Sequence, residues 1–168
     1  MKKPYIIWLT GLAGSGKSTI GKALYEKLKQ ECKNIVYLDG DELRDLLGCY
    51  SYDKKGRIEV ALKRSQFAKF LNEQGIIVVV TTISMFNEIY QYNRKNLKNY
   101  FEIYIKCPME ELIKRDQKEL YTKALKGEIE NVVGVDIKFD EPNAHFVLDN
   151  SIRENLDEKV ETIIKQLI

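Results

Sequence analysis

Gly11, Gly16, Lys17 and Ser18 stand at the fixed positions of G-x-x-x-x-G-K-[ST], within Gly11-Leu12-Ala13-Gly14-Ser15-Gly16-Lys17-Ser18-Thr19. The chemistry of that spacing is anion capture. Glycines let the backbone bend tightly, so that loop N–H groups and the following helix N-terminus converge on a phosphate. Gly11, Ala13, Gly14, Ser15, Gly16, Lys17, Ser18 and Thr19 are therefore the expected ATP-binding residues. Lys17 can reach the β- and γ-phosphates, and Ser18 offers its hydroxyl to Mg²⁺. A second chemical cluster is Asp39-Gly40-Asp41. Phosphoryl transfer to a hydroxyl needs one group to orient the acceptor and others to hold the metal. No apolar run in this chain ends in the aspartate of a Walker B motif. Asp39 and Asp41 are the best remaining source of that carboxylate, with Asp41 also suited to cap a helix.

Further along, Arg44 lies one turn after Asp41, and Arg57 opens a long helix; each can bind phosphate groups of a second, anionic substrate or simply be solvated. Arg115 can swing onto the donor phosphates, and Lys118 and Lys123 can neutralise charge. Tyr50, Tyr52, Phe86 and Phe139 can stack a base or pack ordinarily. His145, the only histidine, reads as structural.

The elements that must position these groups alternate. Strands are expected at 5–10, 34–38, 76–80, 101–106 and 145–148. Helices are expected at 17–31, 42–47, 57–74, 86–97, from Pro108 onward, and at 154–168. Gly75 stops the long helix. The pattern predicts an α/β fold: a mainly parallel five-stranded sheet with helices on both faces. Ligands in such sheets sit beyond the carboxyl ends of the strands. Those ends carry the glycine loop, Asp39-Gly40-Asp41, 81–84 and Cys107-Pro108. The stretch 116–139 is charged and weakly periodic, a poor core segment, and reads as a mobile lid.

The totals set bounds. The 168 residues, 44% hydrophobic, suit a single domain, 1–168, with its own core. A net charge of +2, from 27 basic and 25 acidic residues, gives no broad field for nucleic acid. Three cysteines without C-x-x-C spacing read as reduced thiols. The short apolar run after residues 1–4 reads as a core strand, neither a signal peptide nor a membrane span. The expected location is cytoplasmic.

Four blocks carry a family resemblance over nearly the whole length. They are Gly11–Thr19, Leu38-Asp39-Gly40-Asp41-Glu42-Leu43-Arg44, Ile83-Ser84-Met85-Phe86, and Arg115-Asp116-Gln117-Lys118-Glu119-Leu120-Tyr121 with Gly127-Glu128-Ile129 and Gly134-Val135-Asp136. Together they resemble the P-loop, L-D-G-D-x-x-R, I-S-P-[FY] and lid blocks of adenylylsulfate (APS) kinases. The resemblance implies the P-loop kinase fold and ATP- and Mg²⁺-dependent phosphorylation of a nucleotide 3′-hydroxyl, usually in a homodimer. It implies that Asp41 orients or deprotonates that hydroxyl beside the metal, with Lys17 and Arg115 completing the catalytic set. It assigns Asp39, Arg44, Arg57, Val60, Ile83, Ser84, Phe86, Lys118, Leu120 and Phe139 to the acceptor. The metal falls to Ser18 and Asp41.

The departures fall on the acceptor side. Val60 stands where the family has asparagine, Met85 where it has proline, Asn87 where arginine usually follows, and Val132-Val133 where the lid has phenylalanine. A valine cannot hydrogen-bond a base edge, and losing such a contact removes discrimination. Intact chemistry with an altered pocket implies a changed acceptor. The resemblance extends to APS-kinase-like enzymes of capsule phosphoramidate pathways, which act on cytidine diphosphoramidate. That acceptor is the leading expectation. The rivals are an APS kinase proper, a P-loop regulatory ATPase that transfers only to water, and a non-catalytic nucleotide sensor.

Overall fold

The computed structural model describes residues 5–167; residues 1–4, and with residue 168 the last position of the expected final helix, lie outside them. The chain runs β1 (Ile6–Thr10), α1 (Lys17–Glu31), β2 (Ile35–Asp39), α2 (Gly40–Leu46), α3 (Lys54–Glu73), β3 (Ile77–Thr82), α4 (Asn87–Asn96), β4 (Tyr100–Lys106), α5 (Met109–Arg115), a 3-10 turn (Gln117–Glu119), α6 (Leu120–Leu125), β5 (Phe146–Asp149) and α7 (Leu156–Leu167). All five strands pair in parallel, in the order β2-β3-β1-β4-β5.

Residue alternation sorts the core into two layers. Ile7, Leu9, Ile77 and Val79 pack with Ile20, Leu24 and Leu28 of α1 and Val160 and Ile163 of α7. Ile6, Trp8, Val78 and Val80 pack the other way, with α3 and α4 through Ala61, Ala68, Ile89 and Tyr90. Strands covered on both faces read as continuous apolar runs, as 76–80 does. Each such side chain contributes roughly 1.5–3 kcal/mol by leaving water. Register then levels the strand ends. Asp39 pairs with Thr81, Leu9 with Thr81 and Thr10 with Thr82, so the two chemical clusters meet at one edge.

Three expectations need correction. Asp41 does not cap α2. Asp39 does, its Oδ1 accepting from Asp41 N at 2.9 Å, and the helix starts at Gly40. A Cβ at Gly40 would lie 2.9 Å from Thr81 O, so the turn presses against β3 where no side chain fits. Helix α3 starts at Lys54, earlier than expected, because Asp53 caps it by accepting from Gly56 N at 2.7 Å. Finally, 116–139 is not a poor core segment. Tyr121, Val132, Val133 and Ile137 are buried in the layer that holds α3 and α4.

Two smaller readings end in plain structural roles. His145 Nδ1 accepts from Glu102 N at 3.0 Å, and its ring stacks on Phe101. Cys32, Cys49 and Cys107 are free thiols. No helix among the described residues is long and apolar enough to cross a membrane.

Candidate active site

The glycine loop is fixed by its backs. Tyr121 OH donates to Ala13 O at 2.7 Å, Arg115 Nη1 to Gly14 O at 3.2 Å, and Asn150 Nδ2 to Ser15 O at 2.6 Å. Three successive carbonyls are thus tied down. In a trans peptide the next N–H points the opposite way, so the amides of Gly14 and Gly16 turn away from those partners. Both glycines line the cleft. Gly16 takes φ +94° as it leads into α1, and a Cβ there would collide with Asn150 Nδ2. The first turn of α1 holds no acidic residue, which leaves its positive end unopposed.

Lys17 Nζ donates to Leu12 O at 3.3 Å. Burial lowers its ammonium to about 8, while Asp41 and Asp39 pull the other way. Incoming phosphates would restore the charge that burial disfavours. Ser18 and Thr19 are exposed at the cleft mouth.

Arg115 does not behave as expected. Its side chain is 4% exposed, and Nε pairs with Glu111 Oε1 at 3.0 Å. Nη2 donates to Asn150 O at 2.7 Å and Ser151 O at 2.8 Å. With Gly14 O as well, four of its five N–H donors are committed to the protein. The guanidinium is a strut between the glycine loop and the start of the β5–α7 connection, not a group free to swing onto phosphates.

The facing wall is built from side chains. Lys17, Arg44, Arg57 and Arg64 surround a small cavity of about 60 Å³ that also holds Asp39 and Asp41, four cations against two carboxylates. Arg44 is buried, and Nη1 donates to Cys49 O at 3.0 Å and Ser51 O at 2.7 Å. Arg57 Nε donates to Tyr52 O, and Nη2 to Asn131 O, both at 2.7 Å. Both guanidiniums lie over the Tyr52 ring, at 4.4 and 5.4 Å from its centroid. That ring is 47% exposed, a fixed aromatic face beside the cavity. Burial, and then Arg44, lower the Arg57 guanidinium from its usual value.

The two aspartates differ. Burial alone would raise the Asp39 carboxyl, but hydrogen bonds from Asp41 N, Thr81, Glu42 N and Ser18 outweigh it and hold it below the usual carboxylate value. Tyr37 OH at 3.3 Å and Thr81 Oγ1 at 3.1 Å complete its partners. The Asp41 carboxylate is exposed and has no protein partner among the described residues. It lines both this cavity and the larger one, of about 360 Å³, beside the glycine loop. Ser18 lines the same two cavities. A hydroxyl and carboxylates are the hard oxygen donors that Mg²⁺ takes alongside phosphates and water, so the residues fit that ion.

Of the other expected residues, Ile83 lines both cavities, and Lys118 and Leu120 line the larger. Val60, Ser84 and Phe86 are buried and line neither. Phe139 is half-buried against the same core layer as Phe86. Cys107, at the end of β4, is buried and opens onto neither.

Sequence reading missed Arg64 and a third cavity of about 480 Å³. The latter is lined by Gly14, Gly16, Thr19, Asn150, Arg153 and Lys159. Arg64 lies seven residues after Arg57, on the face of α3 that buries Val60, Ala61, Ser65 and Ala68. An arginine at a core position was the available signal. The third cavity follows from the strand-end rule applied to β5 as well.

Comparison with known proteins places the chain in a family. A family model described as adenylylsulphate kinase matches residues 3–149. The cytidine diphosphoramidate kinase of Campylobacter jejuni is 73% identical over 164 residues, 98% of this chain and 96% of that protein. The adenylyl-sulfate kinase of Pseudomonas aeruginosa is 37% identical over 169 residues, 99% of this chain and 86% of that one. Among solved structures, the Mycobacterium tuberculosis APS kinase CysC in complex with AMPPNP and APS has a TM-score of 0.87 at 32% identity. It covers 98% of each chain. The chain belongs to the adenylylsulfate kinase family.

Proposed function

We propose, taking membership of that family as the premise, that this enzyme transfers the γ-phosphoryl group of ATP to the ribose 3′-hydroxyl of cytidine diphosphoramidate. The observation that carries the acceptor is the gap in similarity. The chain is 73% identical to a cytidine diphosphoramidate kinase and 37% identical to an adenylyl-sulfate kinase over comparable lengths.

The cleft suits two nucleotides. On this reading the glycine loop and Lys17 hold the donor phosphates, and the cavity beside Asn150 and Arg153 takes the donor's nucleoside. Ser18 and Asp41 would hold Mg²⁺, which neutralises charge on the phosphates when bound. Arg44 and Arg57 grip the acceptor's anhydride, and the Tyr52 face receives its base. Asp41 accepts a hydrogen bond from the 3′-hydroxyl and directs it in line with the γ-phosphorus. The new O–P bond forms as the β–γ bridge breaks, ADP leaves, and the hydroxyl proton passes to Asp41 or to water. A loose transition state asks mainly for alignment and charge stabilisation, which this set provides.

The reading includes one kinase domain with 116–139 as its lid, a homodimer, and a cytoplasmic location where ATP is supplied. The test is an acceptor panel under Mg-ATP: cytidine diphosphoramidate, APS and no acceptor, with the product's phosphate position determined. Higher kcat/KM on cytidine diphosphoramidate is expected. Preference for APS would make the enzyme an APS kinase proper, and turnover indifferent to every acceptor would make it a regulatory ATPase.

A further inference from the structure

Arg64 is a cation placed where a helix keeps its core. It is 3% exposed. Among the described residues it has no carboxylate partner, and its Nε has no hydrogen-bond acceptor. The Asp39 and Asp41 carboxylates favour its charge from across the cavity but neither pairs with it directly, and burying a guanidinium without a direct carboxylate partner is unfavourable. The position therefore needs another explanation. Its bonds supply one. Nη1 donates to Thr82 Oγ1 at 2.6 Å, at the end of β3, and Nη2 to Gly40 O at 3.0 Å, in the first turn of α2.

Gly40 O belongs to the peptide that leads into Asp41. The N–H of that same peptide is held by Asp39 Oδ1 at 2.9 Å. Both polar atoms of the Gly40–Asp41 peptide are thus held by side chains from different elements. The peptide plane is held from both sides, and with Asp41 in the first turn of α2 its Cα–Cβ bond departs from a fixed base. The Asp41 carboxylate itself stays free of protein partners. Burial, with help from Arg44, lowers the Arg64 guanidinium to about 10, so it stays charged at neutral pH.

We propose that Arg64 is a positioning residue for phosphoryl transfer: it locks the Asp39-Gly40-Asp41 turn to β3 and so aims Asp41 at the acceptor hydroxyl. This rests on the kinase reading above. Small losses of aim at a reacting centre are costly, roughly 10²-fold for about 1 Å. Arg64→Met should therefore lower kcat about 10²-fold while KM for ATP changes less than about threefold. Arg64→Lys keeps the charge but cannot bridge two acceptors, so it should recover only part of the loss.

The decisive measurement is a double-mutant cycle with Asp41→Ala, using Mg-ATP and cytidine diphosphoramidate. Acting through Asp41, Arg64→Met should cost nothing further in that background. If Arg64→Met does not fold, Arg64→Lys and Thr82→Val, which removes one of the two anchors, carry the same cycle. A kcat within threefold of wild type, or an equal loss with and without Asp41, overturns the proposal. Wild-type enzyme that transfers to no nucleotide acceptor sinks the kinase reading itself, and is seen before any variant is made.

Discussion

The two walls of the cleft hold charge by different means. On the proposed reading, the donor wall is mostly backbone: amides of Gly14 and Gly16, the open end of α1, and one lysine. The acceptor wall is mostly side chains, Arg44, Arg57, Arg64, Asp41 and Tyr52, gathered from α2, α3 and the loop between them. A backbone cradle reads any phosphate and depends on a short contiguous stretch. A side-chain wall reads a particular molecule and exists only once separate helices have packed. Generic binding and selectivity are thereby separable.

Five experiments press on that separation, from the largest effect down. Lys17→Ala should lower kcat on every acceptor by about 10³-fold, the scale of a lost transition-state charge contact. The ratio of kcat/KM between cytidine diphosphoramidate and APS should not change; a shifted ratio would break the division. Asp41→Asn should cost roughly 10²–10³-fold in kcat, as for a lost acid–base or orienting group. Calorimetric ATP affinity should stay within about threefold. Arg57→Gln should raise acceptor KM by about 10–100-fold, the worth of a charge-assisted hydrogen bond, and leave KM for ATP nearly unchanged.

The fourth experiment is a pH series. Lys17 titrates at about 8 in the folded chain against 10.5 when unperturbed. Between those values the unfolded chain keeps a proton that the folded chain has released. Apo stability from this group therefore rises with pH through that window. ATP affinity should move the other way, weakening above pH 8 as the ammonium is lost. Melting curves and ATP titrations at pH 7 and 9 read both signs, and parallel changes would contradict the assignment. The smallest effect is expected from Val60→Asn. Val60 lies behind the wall and lines neither cavity, so APS should gain less than about tenfold relative to cytidine diphosphoramidate, a modest contact by the measure of buried polar discrimination. No gain at all would remove Val60 as a determinant.

The same division explains what the sequence disclosed. Helix α1 begins and ends where the reading placed it, because a glycine loop announces its start and a clean apolar period follows. The glycine loop itself is local and was legible. The start of α2 was misplaced because Asp39 and Asp41 are equally good capping types, and only contact with Thr81 decides between them. Arg64 was passed over because an arginine on a helix usually faces water; its burial depends on β3 and α2, distant in sequence. In 116–139 the buried residues Tyr121, Val132, Val133 and Ile137 follow no helical or strand period. Their places are set by the surface they cover, and no local pattern signals that. The fixed position of Arg115 was hidden for a related reason: its carbonyl partners lie on two other segments, the glycine loop and the start of the β5–α7 connection.

Asn150 carries a consequence of another kind. Its side chain bonds Ser15 O across 135 residues of chain, and Lys159 Nζ holds its Oδ1 at 2.7 Å. The loop is therefore completed by residues that leave the ribosome only after more than a hundred others have followed it, roughly the whole of the sheet. A nascent chain shows the nucleotide motif early but cannot hold it in shape until β5 and the start of α7 have emerged and docked. Contacts so distant in sequence form late and slowly. Nucleotide binding should thus arise only after β5 and the start of α7 have docked, and protection of the glycine loop against protease would report that they are in place.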